Sequence, residues 1–592
     1  MHTRSAETRG GKAAPWLGLG ATLALALLFT AFFLWQRPSF GKVSYVYQGK
    51  QAETGTLPLS VPTKGERLSV LVPLRLGFFR PAVYRVVADD CLEDLFINDA
   101  RVPREITDFC DYTEGRLLNL SPYLRGGENL LQFTVRDHGG MGGTDIRPAP
   151  GDALSLSFFT VLFACVAAAL FLLRRQVGSW LLPSATACAA SFVTFLYWLS
   201  TSYTVRGHDT DAHIEYVRYL MQHLSIPPAS EGWQFYQPPL YYAVGAAWGT
   251  VTGFFSAPLP GSLQFFAFLL SLLGIGCVLW IGATLFDVRR ERGALALFLA
   301  SATLLPGIVF FAARANNDVL ALALSLLCTA LLLRWWRHPE RSGLWAGIAV
   351  VLSLGILTKS TTLPLVAAAW LLLLLSPLRW RKKLGLGIVS LAVILLLTDW
   401  LFIQRYIVEG NRGLVGNLGN LHSGLRLRNF PSAFLRFNPL FLFGHPYNNP
   451  WDDASGRQFL WEYVFRSAFS GEWSFGPGLR PLVSALHALG LFALSLAPVG
   501  ILRRPRQELR RSLPLLLLLA MFLAAIAAIR FTAPYGSSQD FRYIAPAAVP
   551  LAYFAVRGAL ALPRRLRQFA LALLAALPLG SAAFVLALVF GR

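Results

Sequence analysis

The sequence predicts a polytopic α-helical membrane protein with a small all-β domain near its start. Three observations predict it. Of the 592 residues, 55% are hydrophobic, and the mean hydropathy is +0.50. Apolar runs of roughly 20 residues, each long enough to cross a bilayer core, recur along most of the chain. Residues 38–151 instead alternate apolar and polar residues over short runs punctuated by Gly and Pro, the pattern of half-buried strands. The formal net charge of +21 does not point to nucleic acid. Its basic residues form short clusters between apolar runs, as cytoplasmic membrane loops do.

Residues 1–37 read as a cytoplasmic N-terminus and a first transmembrane anchor. Arg4, Arg9 and Lys12 precede the apolar run 16–35, and no clear small-x-small cleavage site follows it. Residues 38–151 read as an extracytoplasmic β-sandwich of jelly-roll type, with alternation clearest in 68–72, 84–88 and 130–135. The stretches 88–102 and 124–131, the second containing Gly127-Glu128-Asn129, resemble the strand pair and "GxN" turn of galactose-binding-like jelly rolls. That resemblance implies scaffolding or partner contact in many relatives and glycan binding in some, and both readings stay open. Cys91 and Cys110 lie in this segment and can pair if it is extracytoplasmic. Cys165, Cys188, Cys277 and Cys328 lie in apolar runs and read as packing residues.

Residues 152–177 read as a second transmembrane helix with a basic cytoplasmic turn at Arg174-Arg175. Residues 178–592 read as a membrane domain with outer loops 201–261 and 405–479. The run 240–255 decides this topology. If it crossed, Arg289/Arg290/Arg292, Arg334/Arg337/Arg341 and Arg379/Arg381/Lys382/Lys383 would all face outside. The positive-inside rule therefore makes it an interfacial helix. Further crossings are expected near 178–200, 262–285, 293–313, 317–336, 343–358, 361–378, 384–404, 480–502, 512–530, 541–558 and 567–589, about thirteen in all.

This topology gathers the unusual polar residues on one membrane face, where charged groups are costly and mark chemistry. Asp209 and Asp211 sit two apart in His208-Asp-Thr-Asp-Ala-His213 and suit a catalytic base; capping of the following helix is the simpler role, and the two are compatible. Lys359, Arg542 and Arg314 are candidate donor-phosphate ligands. His213, Tyr216, Gln237, Tyr241, Asn317, Asp318 and Glu472 are candidate pocket residues, with helix capping the alternative for Asp318. No cofactor is certain. A divalent metal on Asp209, Asp211 and His213 is an open option. Asp399 and Arg405 read as a structural ion pair.

In order along the chain, Asp211-Ala212, the spaced Tyr216 and Tyr219, Gln237-Pro238-Pro239-Leu240-Tyr241, Asn317-Asp318, Thr358-Lys359 and Arg542-Tyr543 resemble landmarks of the GT-C superfamily of membrane glycosyltransferases. The similarity is to the group containing protein O-mannosyltransferases and lipid A aminoarabinose transferases, and covers roughly 178–590. It implies an enzyme of the multi-pass inner (plasma) membrane, with its active site on the periplasmic, extracytoplasmic face. It also implies inverting sugar transfer from a polyprenyl-phosphate donor to a lipid, glycan or protein acceptor among membrane lipids. The acidic motif maps to Asp211. Ala212 stands where a second acid often lies, so either Asp209 substitutes for it or Asp211 acts alone. Gln237 stands where aminoarabinose transferases carry a phosphate-binding Lys, which shifts that role to Lys359, Arg314 and Arg542. A transporter or flippase of lipid-linked sugars, or a non-catalytic envelope glycan assembly protein, remain the alternatives; no internal repeat favours the first.

Overall fold

The computed structural model describes residues 38–149, 178–254, 259–410, 423–503 and 505–590, with interruptions at 54–56, 64, 78–79, 112–114 and 139, and scattered residues between 161 and 171. The expected anchor at 16–35 and most of the expected second crossing lie outside the described residues. Two compact units are present, one containing the β-strands and the other comprising Ala189–Trp198 and Arg206–Ala587.

The β-unit has two antiparallel sheets. One is ordered β3 (Lys50–Glu53), β2 (Ser44–Tyr47), β5 (Arg67–Leu76), β11 (Gly127–Arg136), β7 (Cys91–Ile97) and β8 (Ala100–Arg101), with β1 (Ser39–Phe40) on β5 and β9 (Phe109–Cys110) on β7. The other is ordered β10 (Arg116–Asn119), β6 (Val83–Asp89), β12 (Gly140–Pro148) and β4 (Leu59–Thr63). Period-two alternation puts Leu68, Val70, Val72 and Leu74 of β5, and Leu131, Phe133 and Val135 of β11, on one face. They share a core with Tyr84, Val86, Leu118 and Ile146 of the second sheet. Each such side chain contributes about 1.5–3 kcal/mol on burial. The turn before β11 is closed by Asn129, whose Oδ1 accepts from the Arg125 N–H at 2.8 Å and whose Nδ2 donates to the Arg125 carbonyl at 2.9 Å. Gly143 allows β12 to press against β4, since a Cβ there would stand 1.9 Å from the Leu59 carbonyl oxygen. Cys91 and Cys110 are opposite each other across β7 and β9 and are joined by a disulfide.

The second unit is helical. Its elements are α1 (Leu181–Ser200), α2 (Thr210–His223), α3 (Leu240–Gly253), α4 (Leu259–Leu285), α5 (Arg292–Thr303), α6 (Asn317–Arg337), α7 (Ser342–Ile356), α8 (Leu363–Leu375), α9 (Trp380–Phe402), α10 (Leu460–Ser470), α11 (Arg480–Leu502), α12 (Leu513–Thr532), α13 (Ala548–Leu560) and α14 (Arg564–Phe590). Among the described residues, eight helices are long and apolar enough to cross a membrane. A ninth candidate is α5 with Pro306–Ala313, bent by 64°. The bend falls where Pro306 cannot continue the hydrogen-bond ladder of the preceding turn. With the shorter apolar helices Ser342–Ile356 and Ser360–Leu375, these segments fall one for one on the crossings expected from residue 178 onward. The protein is a multi-pass membrane protein. The 14-residue α3 is not in this set; it packs on α2 and α4.

One expected pair is replaced by another. Arg405 does not take Asp399 as its main partner: its Nη1 donates to both Glu409 carboxylate oxygens at 2.8 and 2.9 Å, and its Nη2 to the Phe235 carbonyl at 2.6 Å. The Asp399 carboxylate instead accepts from the Trp400 N–H at 2.7 Å. Residues six apart do not face each other on a helix, whereas residues four apart do.

Candidate functional site

Antiparallel connection of the helices brings the start of α6, the end of α7 and the start of the segment leading into α13 to one end of the helical unit. The opposite ends meet separately, where Arg557 at the end of α13 pairs with Glu291 and donates to the Leu285 carbonyl at 3.0 Å.

At the first end, Asn316 caps α6 by accepting from the Asp318 N–H at 3.2 Å. Asp318 is therefore not the cap. Its carboxylate turns inward, accepts from Lys359 Nζ, and has its other oxygen 3.6 Å from Arg542 Nη1. Lys359 occupies an extended residue between α7 and the next helical turn, so its side chain leaves the helix axis and enters the unit. Asp318 is 4% exposed and Lys359 7%. Burying such charges is tolerable only because they are paired. Tyr543 lies beside both cations, its ring 5.6 Å from Lys359 Nζ and its hydroxyl accepting from Arg542 at 2.9 Å.

A hydrogen-bonded chain runs outward from Lys359. Lys359 Nζ donates to Asn317 Oδ1 at 3.3 Å, and Asn317 Nδ2 donates to Gln237 Oε1 at 3.2 Å. Gln237 Nε2 donates to Gln234 Oε1 at 3.1 Å, and Gln234 Nε2 donates to Asp209 Oδ2 at 3.0 Å. Gln237 is held in place because the Leu240 N–H donates to the Leu357 carbonyl at 2.9 Å, tying the start of α3 to the end of α7. Asp209 precedes α2 in a left-handed conformation, φ 50°, and makes no side-chain cap. Its carboxylate is used by Gln234 instead. Asp209 and Asp211 are both exposed, Asp211 in the first turn of α2, where the helix dipole favours an anion.

His213 is buried and faces the Tyr242 hydroxyl, with Nδ1 2.7 Å away. Burial and the nearby Lys359 charge push its imidazole down to about 3. Tyr216 stacks on Tyr242 with centroids 3.8 Å apart, and Tyr241 meets Tyr242 edge-on. These rings wall the base of the polar chain.

A second group gathers around His208. Its Nδ1 lies 3.6 Å from Glu472 Oε2 and its Nε2 3.7 Å from Asp540 Oδ2. The ring packs against Trp473, over which Arg314 also lies at 5.2 Å. Arg314 Nε donates to the Arg206 carbonyl at 3.0 Å, so this guanidinium belongs to the His208 side of the site. Burial, reinforced by the Asp540 charge, pushes the Glu472 carboxyl up to about 8. Burial and the cations Arg542, Arg314 and Lys359 hold the His208 imidazole well below its ordinary value.

The structure thus brings together Lys359, Arg542, Asp318, Asn317 and Gln237 directly, with Asp209 at the end of their chain. Glu472 and Arg314 join the His208 group. Asp209, Asp211 and His213 do not converge as metal ligands among the described residues; the group whose ligand atoms do converge is His208, Glu472 and Asp540. Gln234, Asp540 and His208 were missed as site residues. His208 lies in the acidic hexapeptide itself and Asp540 two residues before Arg542, so sequence proximity was the available signal.

A family model described as dolichyl-phosphate-mannose-protein mannosyltransferase matches residues 237–402. No curated protein matches the chain. Among solved structures, the Archaeoglobus fulgidus oligosaccharyltransferase in complex with Zn and sulfate is similar at 15% identity and a TM-score of 0.41, over 68% of this chain and 53% of its own. AglB of the same organism, in complex with an inhibitory peptide and a dolichol-phosphate, is similar at 15% identity and a TM-score of 0.39, over 70% of this chain and 56% of its own. ArnT from Cupriavidus metallidurans, bound to undecaprenyl phosphate, is similar at 18% identity and a TM-score of 0.32, over 68% of this chain and 78% of its own. The chain spans about half the length of the archaeal proteins it matches. The family match over 237–402 bears out the resemblance to GT-C membrane glycosyltransferases over that stretch, which holds the landmarks Gln237-Pro238-Pro239-Leu240-Tyr241, Asn317-Asp318 and Thr358-Lys359; Asp211-Ala212, Tyr216, Tyr219 and Arg542-Tyr543 lie outside it.

Proposed function

We propose that this chain is an inverting glycosyltransferase that moves a sugar from a polyprenyl-phosphate donor to an extracytoplasmic acceptor. The observation that carries the proposal is the continuous polar chain from the exposed Asp209 through Gln234, Gln237 and Asn317 to the buried Lys359. It couples a carboxylate able to receive a proton to cations able to receive a phosphate.

In this reading Asp211 and Asp209 supply the base at the mouth of the site. One of them takes the proton of the acceptor hydroxyl as its oxygen attacks the anomeric carbon. The bond from that carbon to the phosphate oxygen breaks on the opposite face, and polyprenyl phosphate leaves with the electron pair. Lys359 and Arg542 meet the charge that develops on it, with Arg314 nearby. A unit charge pair 4 Å apart at an effective dielectric of 20 is worth about 4 kcal/mol, so two cations supply a substantial part of a catalytic barrier. An apolar groove lined by Pro238, Ile356, Leu363, Leu401, Phe402 and Tyr406 opens beside Gln237 and Ser360 and suits an isoprenoid tail. Charge supports the extracytoplasmic assignment. Arg289/Arg290/Arg292, Arg334/Arg337/Arg341 and Arg379/Arg381/Lys382/Lys383 all fall at the helix ends away from the site.

The test is sugar transfer in proteoliposomes charged with labelled polyprenyl-phosphate sugars, coupled to mass spectrometry of envelope glycans with and without the protein. Transfer by the native chain and its loss in Asp209→Asn/Asp211→Asn supports the proposal. An unchanged glycan profile together with no transfer from any donor removes it.

A further inference from the structure

We propose that His208, Glu472 and Asp540 form a binding site for one divalent ion of the Zn²⁺ or Mn²⁺ type. The three residues come from distant parts of the chain: the loop before α2, the loop after α10, and the segment leading to α13. One ligand atom from each lies within 4.8 Å of the others.

Two features distinguish this group from a hydrogen-bonded cluster. The first is spacing. His208 Nδ1 to Glu472 Oε2 is 3.6 Å and His208 Nε2 to Asp540 Oδ2 is 3.7 Å, too long for hydrogen bonds. A single ion takes only one imidazole nitrogen, and with one ligand atom per residue the three lie within 4.8 Å of one another. Ligands at 2.0–2.1 Å around a tetrahedral ion stand roughly 3.3 Å apart, so the side chains must close by up to about 1.5 Å to hold it. The second is how each carboxylate is used. Glu472 spends Oε1 on the Tyr463 hydroxyl at 2.8 Å, and Asp540 spends Oδ1 on the Arg542 N–H at 2.9 Å. Each is thereby oriented by one oxygen and turns the other toward His208. Asp540 is 2% exposed, and its Oδ2 is buried without a hydrogen-bond partner, as is His208 Nε2. Leaving a buried carboxylate oxygen unmatched is expensive; an ion supplies the missing partner.

The donor set selects the metal class. Imidazole with two carboxylates suits Zn²⁺ or Mn²⁺ better than Mg²⁺ or Ca²⁺, which prefer all-oxygen sites. Arg314 and Arg542 lie within electrostatic reach and oppose a cation; Glu472, Asp540 and Asp318 offset them. Tyr463 acts as a positioning residue, as partners of ligating groups do. The inference is independent of sugar transfer and is read by metal content alone.

The experiment uses the full chain, purified in detergent without a histidine tag, stripped with chelator and equilibrated with Zn²⁺ or Mn²⁺ by dialysis. Elemental analysis is expected to give one ion per chain, with no comparable retention of Mg²⁺. His208→Ala and Asp540→Asn are expected to weaken retention at least 100-fold, and Tyr463→Phe about 10-fold. His138→Ala, at an exposed histidine of the β-unit, is expected to change nothing. Because the ligand variants can fail to fold, Co²⁺ is also added to the native chain, where visible d–d absorption is expected and is displaced by Zn²⁺. Absence of both retained ion and Co²⁺ absorption in the native chain overturns the proposal. Retention that survives in folded His208→Ala and Asp540→Asn overturns it equally.

Discussion

The β-unit buries single acids, Asp137 on the Thr63 hydroxyl and Asp145 on Arg147, whereas the helical unit buries a cluster of charges. In the β-unit the pairs Arg67–Glu93, Arg101–Asp94 and Arg104–Asp94 lie at the surface, with the arginine side chains 72%, 46% and 61% exposed. Such pairs contribute little to stability, and the unit is held by its apolar core and its disulfide. In the helical unit Lys359 and Asp318 are almost wholly buried, with Arg542, Asp540 and Glu472 around them. Charges so placed are a burden on the fold unless something uses them. That buried cluster is why the proposed chemistry is placed in the helical unit.

The largest effect expected from breaking this contrast is at Lys359. Lys359→Ala leaves Asp318 buried with a weakened counter-charge and should destabilise the protein by about 3–5 kcal/mol, while abolishing transfer. Lys359→Ala/Asp318→Ala should recover much of the stability but none of the activity. Unfolding in detergent and transfer in proteoliposomes read the two separately.

Next come Asp209→Asn and Asp211→Asn. Both residues are exposed, so stability should stay within about 0.5 kcal/mol. The rate should fall about 10²–10⁴-fold for whichever carboxylate takes the proton. Substrate titration then distinguishes a lost base, which lowers kcat, from a lost contact, which raises KM.

Asn129→Ala sharpens the other side of the comparison. It leaves the Arg125 N–H without its side-chain acceptor and should cost about 1–3 kcal/mol. The loss should appear in the unfolding of the β-unit with transfer unchanged.

The smallest effect concerns Asp94. The guanidiniums of Arg104 and Arg101 hold its carboxyl down to about 2 from an ordinary 3.8. Its stabilising contribution is therefore full above about pH 3.8 and lost as pH falls through about 2. Its partners Arg101 and Arg104 are 46% and 61% exposed, so the pairs are solvent-screened and the contribution is small. Asp94→Asn should lower stability slightly at pH 7, with the difference vanishing near pH 2 in acid unfolding curves.

Much of this organisation was legible in the sequence, because hydropathy and charge act over whole segments. Apolar runs marked the helices, and the basic clusters set apart 240–255, which the structure shows as the short helix α3. The Gly127-Glu128-Asn129 turn was legible because one side chain closes it locally. Roles that depend on side-chain direction were not. Asp318 and Asp209 both sit where helix caps are expected, yet Asn316 takes one cap and Gln234 takes the Asp209 carboxylate. Arg405 turned to Glu409 for the same reason: the choice among nearby partners is made by geometry three or four residues away. His208, Glu472 and Asp540 are separated by 264 and 68 residues along the chain, and only packing reveals that they meet.

The central claim is that the buried cations at one end of the helical unit receive a lipid-borne phosphate. It is tested most directly by titrating polyprenyl phosphate into the purified full chain and into Lys359→Met, which keeps the side chain's length without its charge. Saturable binding by the native chain that is weakened at least 10-fold in a folded Lys359→Met is the predicted result. Equal binding by both, or none by the native chain, contradicts the account.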